Sequence, residues 1–146
     1  EASPSERGLL LGKLRSALAR RRGVLLAIVY GSFTRRDFFR DVDVAVYTGG
    51  LAEDPLRLEA SLCSELSAAL GVPVDVRVVD EAPAWFKLKV ARSGVVVYEG
   101  MPGAYALFLK EAVGEQQDME LKLREAALAV GSKANQARRG PRSSLW

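Results

Sequence analysis

Hydrophobic and polar positions along the chain fall into two alternating rhythms. The first is helical: Leu11, Leu14 and Leu18 recur at three- and four-residue steps, the spacing that puts side chains on one helix face. Ser3-Pro4-Ser5-Glu6 ahead of them reads as a helix start, with a capping serine, a proline suited to the first helical position and a glutamate that closes a capping box. Arg20-Arg21-Arg22-Gly23 reads as the end, cations on the negative helix pole and a glycine past it. Residues 24–30 are continuously apolar, as expected of a central strand covered on both faces. Residues 41–48 alternate and predict a second strand, with a turn or short helix over 33–40 before it.

Residues 54–70 return to the helical period, with Leu58, Leu62, Leu66 and Ala69 on one face and Gly71 as the stop. Residues 74–79 predict a third strand, 82–92 a short helix entered through Pro83, and 95–98 a short fourth strand. A last stripe of Tyr105, Phe108, Leu109, Ala112, Met119, Leu123, Ala126 and Val130 predicts a long helix over 102–130, interrupted at Gln116 and kinked at Gly114. Unbroken, that helix spans ~40 Å, longer than the domain beneath it is wide. The order α-β-turn-β-α-β-α-β-α predicts an α/β (α+β) fold, a small mixed sheet of about four strands with helices packed on it. Residues 1–130 form one domain in this reading, and 131–146 a flexible basic tail.

Composition narrows the chemistry. About half of the 146 residues are hydrophobic, 49%, enough to build a core. No apolar run approaches the ~18 residues of a membrane span, and the start lacks the pattern of a signal peptide. The single cysteine, Cys63, allows no internal disulfide and sits in an apolar helical stretch, where a buried inert thiol is expected. A soluble, cytoplasmic protein follows from these expectations. There is no histidine. Ser-His and Cys-His nucleophile pairs are therefore excluded, as is His-ligated zinc, and any metal must take oxygen ligands. The net charge of +3 is carried by the tail, whose Lys133, Arg138, Arg139 and Arg142 face no acid, so it is no sign of a basic groove. Four cations in an end segment are the one feature that speaks for nucleic acid, and a solvated end is the commoner reason for them.

The informative segment is VYGSFTRRDFFRDVDVAVY, residues 29–47. Asp41 and Asp43 share one strand face and Val42, Val44 and Val46 the other. Their Cα atoms lie ~6.5–7 Å apart, close enough for both carboxylates to meet one ion. Aspartate is scarce in strands, and two on one face repel unless a cation sits between them, which suits a hard divalent ion. Alternatively the pair lies on the wet face of an edge strand. Gly31-Ser32 ends the preceding strand, where glycine lets a ligand approach the backbone and free N–H groups attract phosphate. On its own, such a pair is more often just a turn. Asp75, sharing a face with Arg77, completes a carboxylate triad if its strand lies beside residues 41–48.

These residues resemble the minimal nucleotidyltransferase domains of the DNA polymerase beta superfamily. The family pattern is a hydrophobic strand ending in Gly-Ser, a spacer, then Asp-hydrophobic-Asp-hydrophobic, matched here by Gly31, Ser32, Asp41 and Asp43. Asp75, Ala82-Pro83 and Tyr98-Glu99 continue the likeness, which spans residues 24–100. Two departures stand out: the eight-residue spacer 33–40 is short, and Arg36 stands where the family usually has a second glycine.

The resemblance implies a nucleotidyltransferase fold and a Mg²⁺- or Mn²⁺-dependent enzyme. It implies transfer of a nucleoside monophosphate, AMP from ATP before other nucleotides, to a hydroxyl of a partner macromolecule. Asp41, Asp43 and Asp75 are the expected catalytic and metal residues, and Gly31 and Ser32 the phosphate cradle. Arg35, Arg36 and Arg40 are candidate phosphate contacts. The expected partner is a small helical HEPN-type toxin, with this chain as its antitoxin, and the long helix suits that partner, a second copy of the chain, or simply packing on its own sheet. The alternative is a binding module that keeps the fold without catalysis, which the Arg36 departure would favour.

Overall fold

A computed structural model describes residues 4–31 and 41–137, with side chains for 5–31 and 41–132. Helix α1, Pro4–Ala19, leads to strand β1, Leu26–Tyr30. Strand β2, Val42–Tyr47, is followed by helix α2, Pro55–Leu70, and strand β3, Val74–Val78. Helix α3, Ala84–Ser93, strand β4, Val95–Glu99, and helix α4, Ala104–Ala137, complete the order. The sheet order is β3-β2-β1-β4. β1 runs antiparallel to both β2 and β4, and β2 runs parallel to β3. This is the mixed four-stranded sheet that the alternation of periods implies.

The apolar run of β1 is central, and its side chains divide between two cores. Ala27 and Val29 join Val42, Val44 and Val46 of β2 beneath Leu14 and Leu18 of α1 and Leu62 and Leu66 of α2. Leu26 and Ile28 face the other way with Ala45 and Tyr47, against Val90 and Ala91 of α3 and Phe108 of α4. The period of two along β2 therefore delivers Asp43, like Ala45 and Tyr47, to the α3/α4 side.

Helix α2 begins and ends where its sequence says. The Asp54 carboxylate accepts from the Arg57 N–H at 3.1 Å, Pro55 follows as first helical residue, and Gly71 at φ 72° closes the end. The helix then does something the pattern does not announce. The outward N–H groups of the edge strand β3 donate to its side chains: Val74 to Ser67 Oγ at 2.9 Å, Val76 to Cys63 Sγ at 3.2 Å, and Val78 to Glu59 Oε2 at 2.9 Å. Cys63 is thus half-buried and an acceptor on a sheet edge, not a thiol sealed in the core.

The last helix differs from expectation in two ways. It is assigned as one helix past Gly114 and through Ala137, seven residues beyond Val130, because Lys, Ala and Gln are good helix formers even without an apolar stripe. Only its first turns pack on the sheet. Ala104, Phe108 and Ala112 are buried, whereas every residue from 117 to 132 is exposed, Met119, Leu123 and Val130 of the predicted stripe among them. Among the described residues no helix is long and apolar enough to cross a membrane.

Candidate functional site

The strands bring four predicted residues to one end of the sheet. Gly31 lies just past the carboxyl end of β1, and Asp41 and Asp43 at the start of β2. Register pairs Tyr30 with Asp43 across β1 and β2, and Asp43 with Asp75 across β2 and β3. Asp43 and Asp75 therefore occupy adjacent strands at the same height and on the same face, ~4.8 Å apart at the backbone. Asp41 and Asp75 are exposed and Asp43 is half-buried. Ser32, Arg35, Arg36 and Arg40 lie outside the described residues.

Gly31 is where backbone and chemistry meet. Its φ of 78° is left-handed, a conformation glycine adopts at no steric cost. A Cβ placed there would stand 2.7 Å from Asp43 Oδ2. The carboxylate thus rests against bare backbone at the strand end.

Electrostatics mark the same point. The Asp43 carboxyl is held above its ordinary value, first by burial, then by the negative charges of Asp41 and Asp75, with Arg77 opposing. Tyr30, beside it, is pushed up to about 12, again by burial first and then by Asp43, so its phenol stays protonated. Arg77 pairs with Asp75 at 3.8 Å, both side chains more than half exposed. Among the described residues no three carboxylates stand together as a ready-made metal cage. The donor set nonetheless fits a hard cation: carboxylate oxygens alone, crowded enough to repel, with Asp75 held by a weak surface pair that a divalent charge can outcompete.

A cleft of about 540 Å³ opens beside Asp75. Its walls include Asp75, Arg77 and Val79 from the β3 side and Pro83, Trp85 and Phe86 at the start of α3. Phe86 stands edge-on to Tyr30 at 5.8 Å and to Trp85 at 5.7 Å, and Trp85 is 60% exposed. Pattern reading missed this aromatic wall. The available signal was a tryptophan in the first turn of an otherwise amphipathic helix, right after Ala82-Pro83. Helix α3 itself begins two residues later than predicted, because Pro83 takes the cap position.

A family model, polymerase beta nucleotidyltransferase, matches residues 12–101. The chain belongs to the polymerase beta nucleotidyltransferase family. No curated protein matches. Solved structures do match this nucleotidyltransferase domain in fold. A complex of the tri-AMPylated Shewanella oneidensis HEPN toxin with its MNT antitoxin aligns at TM-score 0.63 and 18% identity, over 85% of this chain and 98% of that one. A toxin–antitoxin structure with AMP-PNP aligns at TM-score 0.64 and 20% identity, over 82% and 97%. The MntA–HepT toxin–antitoxin structure aligns at 0.58 and 17%, over 88% and 98%. At these identities the likeness speaks to the fold that this nucleotidyltransferase shares with them.

Proposed function

We propose that the chain is a Mg²⁺-dependent nucleotidyltransferase that moves AMP from ATP to a hydroxyl of a partner macromolecule. The observation that carries this is the meeting of Gly31, Asp41, Asp43 and Asp75 at one end of the sheet of a polymerase beta nucleotidyltransferase. Gly31, with Ser32 after it, cradles the β- and γ-phosphates through backbone N–H groups, and Arg35, Arg36 and Arg40 are the candidate cations beside them. Asp41 and Asp43 hold Mg²⁺, and Asp75 holds a second ion or serves as base. Bound Mg²⁺ neutralises charge on the triphosphate and on the leaving pyrophosphate. The acceptor oxygen bonds to the α-phosphorus, the bond from that phosphorus to the β-bridging oxygen breaks, pyrophosphate leaves, and the hydroxyl proton passes to the Asp75 carboxylate.

The partner we propose is a HEPN-type toxin, with this chain as its antitoxin in the cytoplasm. Support comes from the solved toxin–antitoxin assemblies that share the fold, one with an AMPylated toxin and one with a nucleotide analogue. A second reading, neutralisation by contact alone, draws on Arg36, which stands where the family usually has a second glycine. Transfer of labelled AMP from ATP to the purified partner separates the two. Transfer that vanishes in Asp41→Asn and Asp43→Asn supports the enzyme. A wild type inactive with every nucleotide, whose two variants still neutralise the toxin, refutes it.

A further inference from the structure

We infer that the distal half of α4 pairs antiparallel with the same helix of a second copy of this chain, along a seam of Met119, Leu123, Ala126 and Val130. The claim concerns assembly and stands apart from the transferase reading. The four residues follow one another at steps of four, three and four. That averages about 3.5, the period that keeps one seam facing a partner helix over several turns. The seam prolongs the face that Phe108 and Ala112 press on the sheet, yet every side chain from 117 to 132 is exposed. Met119, Leu123 and Val130 each leave about half of their surface bare. A helical stretch of this length holds poorly without tertiary contact, and Gly131 and Ser132 in its interior lower its own propensity further. A partner on the seam supplies the missing contact.

Charge says which partner and which way round. Residues 111–120 hold Glu111, Glu115, Asp118 and Glu120 and no cation, whereas residues 121–142 hold six Lys and Arg against Glu125 alone. The Lys87–Glu115 pair at 2.8 Å leaves the first stretch acidic. A chain acidic over one stretch and basic over the next complements its own copy only when that copy is reversed; a parallel copy sets acid on acid and base on base. Aligning Met119 with Val130 of the second copy, and Leu123 with Ala126 of the second copy, seats all four seam residues in layers. The pairing is reciprocal, as a two-fold axis requires. Residues 111–120 then run beside residues 129–138 of the second copy, where the sequence has Lys133 and Arg138. The overlap from 116 to 133 is ~27 Å long. The same register sets Ala112, buried on its own sheet, level with Ala137 at the end of the second copy's helix. Each globular body thus lies past the end of the other chain's helix, and the two do not collide.

The test uses the full chain. Sedimentation equilibrium from micromolar to millimolar concentration should show a reversible passage from one chain's mass to twice that mass, weakening as salt rises. Met119→Glu/Leu123→Glu changes two exposed side chains. It should raise the dimer Kd about tenfold or more and leave the apo Tm of the dilute chain in place. Leu121→Glu/Leu128→Glu, on the opposite face of the helix, should leave association unchanged. Orientation is read by disulfide trapping in a Cys63→Ser background, which has no other cysteine. Gln116→Cys chains mixed with Lys133→Cys chains should give the mixed disulfide in preference to either homodimer. A chain that stays monomeric throughout overturns the proposal. So do homodimeric disulfides formed in preference, or a dimer that only Leu121→Glu/Leu128→Glu disrupts. A monomer whose Met119→Glu/Leu123→Glu variant no longer binds a HEPN-type protein gives the seam to that partner and overturns self-pairing.

Discussion

Replacing Gly31 with alanine tests the close approach on which the site depends. An L-residue forced to φ near 78° costs about 1–2 kcal/mol. The new Cβ would also meet Asp43 Oδ2 at 2.7 Å. That oxygen ends a rotatable side chain, so it turns away for about 0.5–1.5 kcal/mol rather than breaking the fold. Lower entropy of the unfolded chain returns about 0.4–1 kcal/mol. The net loss is about 1–2.5 kcal/mol, a fall in Tm of roughly 3–8 °C for a chain of this size. Function should suffer more than stability, because the displaced carboxylate is an expected metal ligand. Thermal melts with and without ATP–Mg²⁺ separate the two effects: the apo Tm should fall modestly and the nucleotide-dependent rise should disappear. The double variant Gly31→Ala/Asp43→Ala removes the clash but not the strained φ, so the cycle should show a coupling of about 0.5–1.5 kcal/mol. An alanine variant with unchanged apo Tm and a full ATP–Mg²⁺ response would refute the claim that bare backbone is needed there.

Three further outcomes are expected. Asp43 has its folded pKa raised above 3.8, so its charged form costs stability once pH rises through that range, and the cost is absent below it; Asp43→Asn should be more stable than wild type near neutral pH, with the advantage fading in acid melts toward pH 3.8. The Lys87 ammonium is only 3% exposed and donates to Glu115 at 2.8 Å, so Glu115→Ala should destabilise in urea titrations, by less than the ~3–5 kcal/mol of fully buried pairs because Glu115 is half-exposed, while Lys87→Met should be near neutral. Truncation after Gln117 removes a helical stretch whose side chains are all exposed over 118–132, together with residues 133–146, and should leave the apo Tm within a few degrees of wild type; a cooperative loss of fold would show that the distal half of α4 is structural.

How legible the molecule was depends on how local each feature is. The carboxylate pair of β2 was readable because a period of two fixes which side chains share a face, and the strand order put Asp75 beside them. Helix α2 was readable because Asp54, Pro55 and Gly71 are local stop and start signals. The cleft was not readable: it forms where the α3 start folds over β3, a relation no spacing encodes. The apolar stripe of α4 left the place of its second half open, since periodicity marks a face fit for burial and not whether anything lies beneath it. The Arg77–Asp75 pair escaped notice as a pair, although their shared face was evident, because one face of one strand does not say which charge takes which.

The three side chains of α2 that receive the β3 N–H groups stand four residues apart, a rise of ~6 Å, and the three donors two residues apart along a strand, ~6.6 Å. The near-match lets one helix close a row of hydrogen bonds that would otherwise invite another strand. Sheet extension, and with it edge-to-edge aggregation, is therefore blocked on the β3 side by Ser67, Cys63 and Glu59. Because the middle acceptor is a thiol, the plug carries one oxidisable link, and bulky alkylation of Cys63 would turn a sealed edge into an adhesive one.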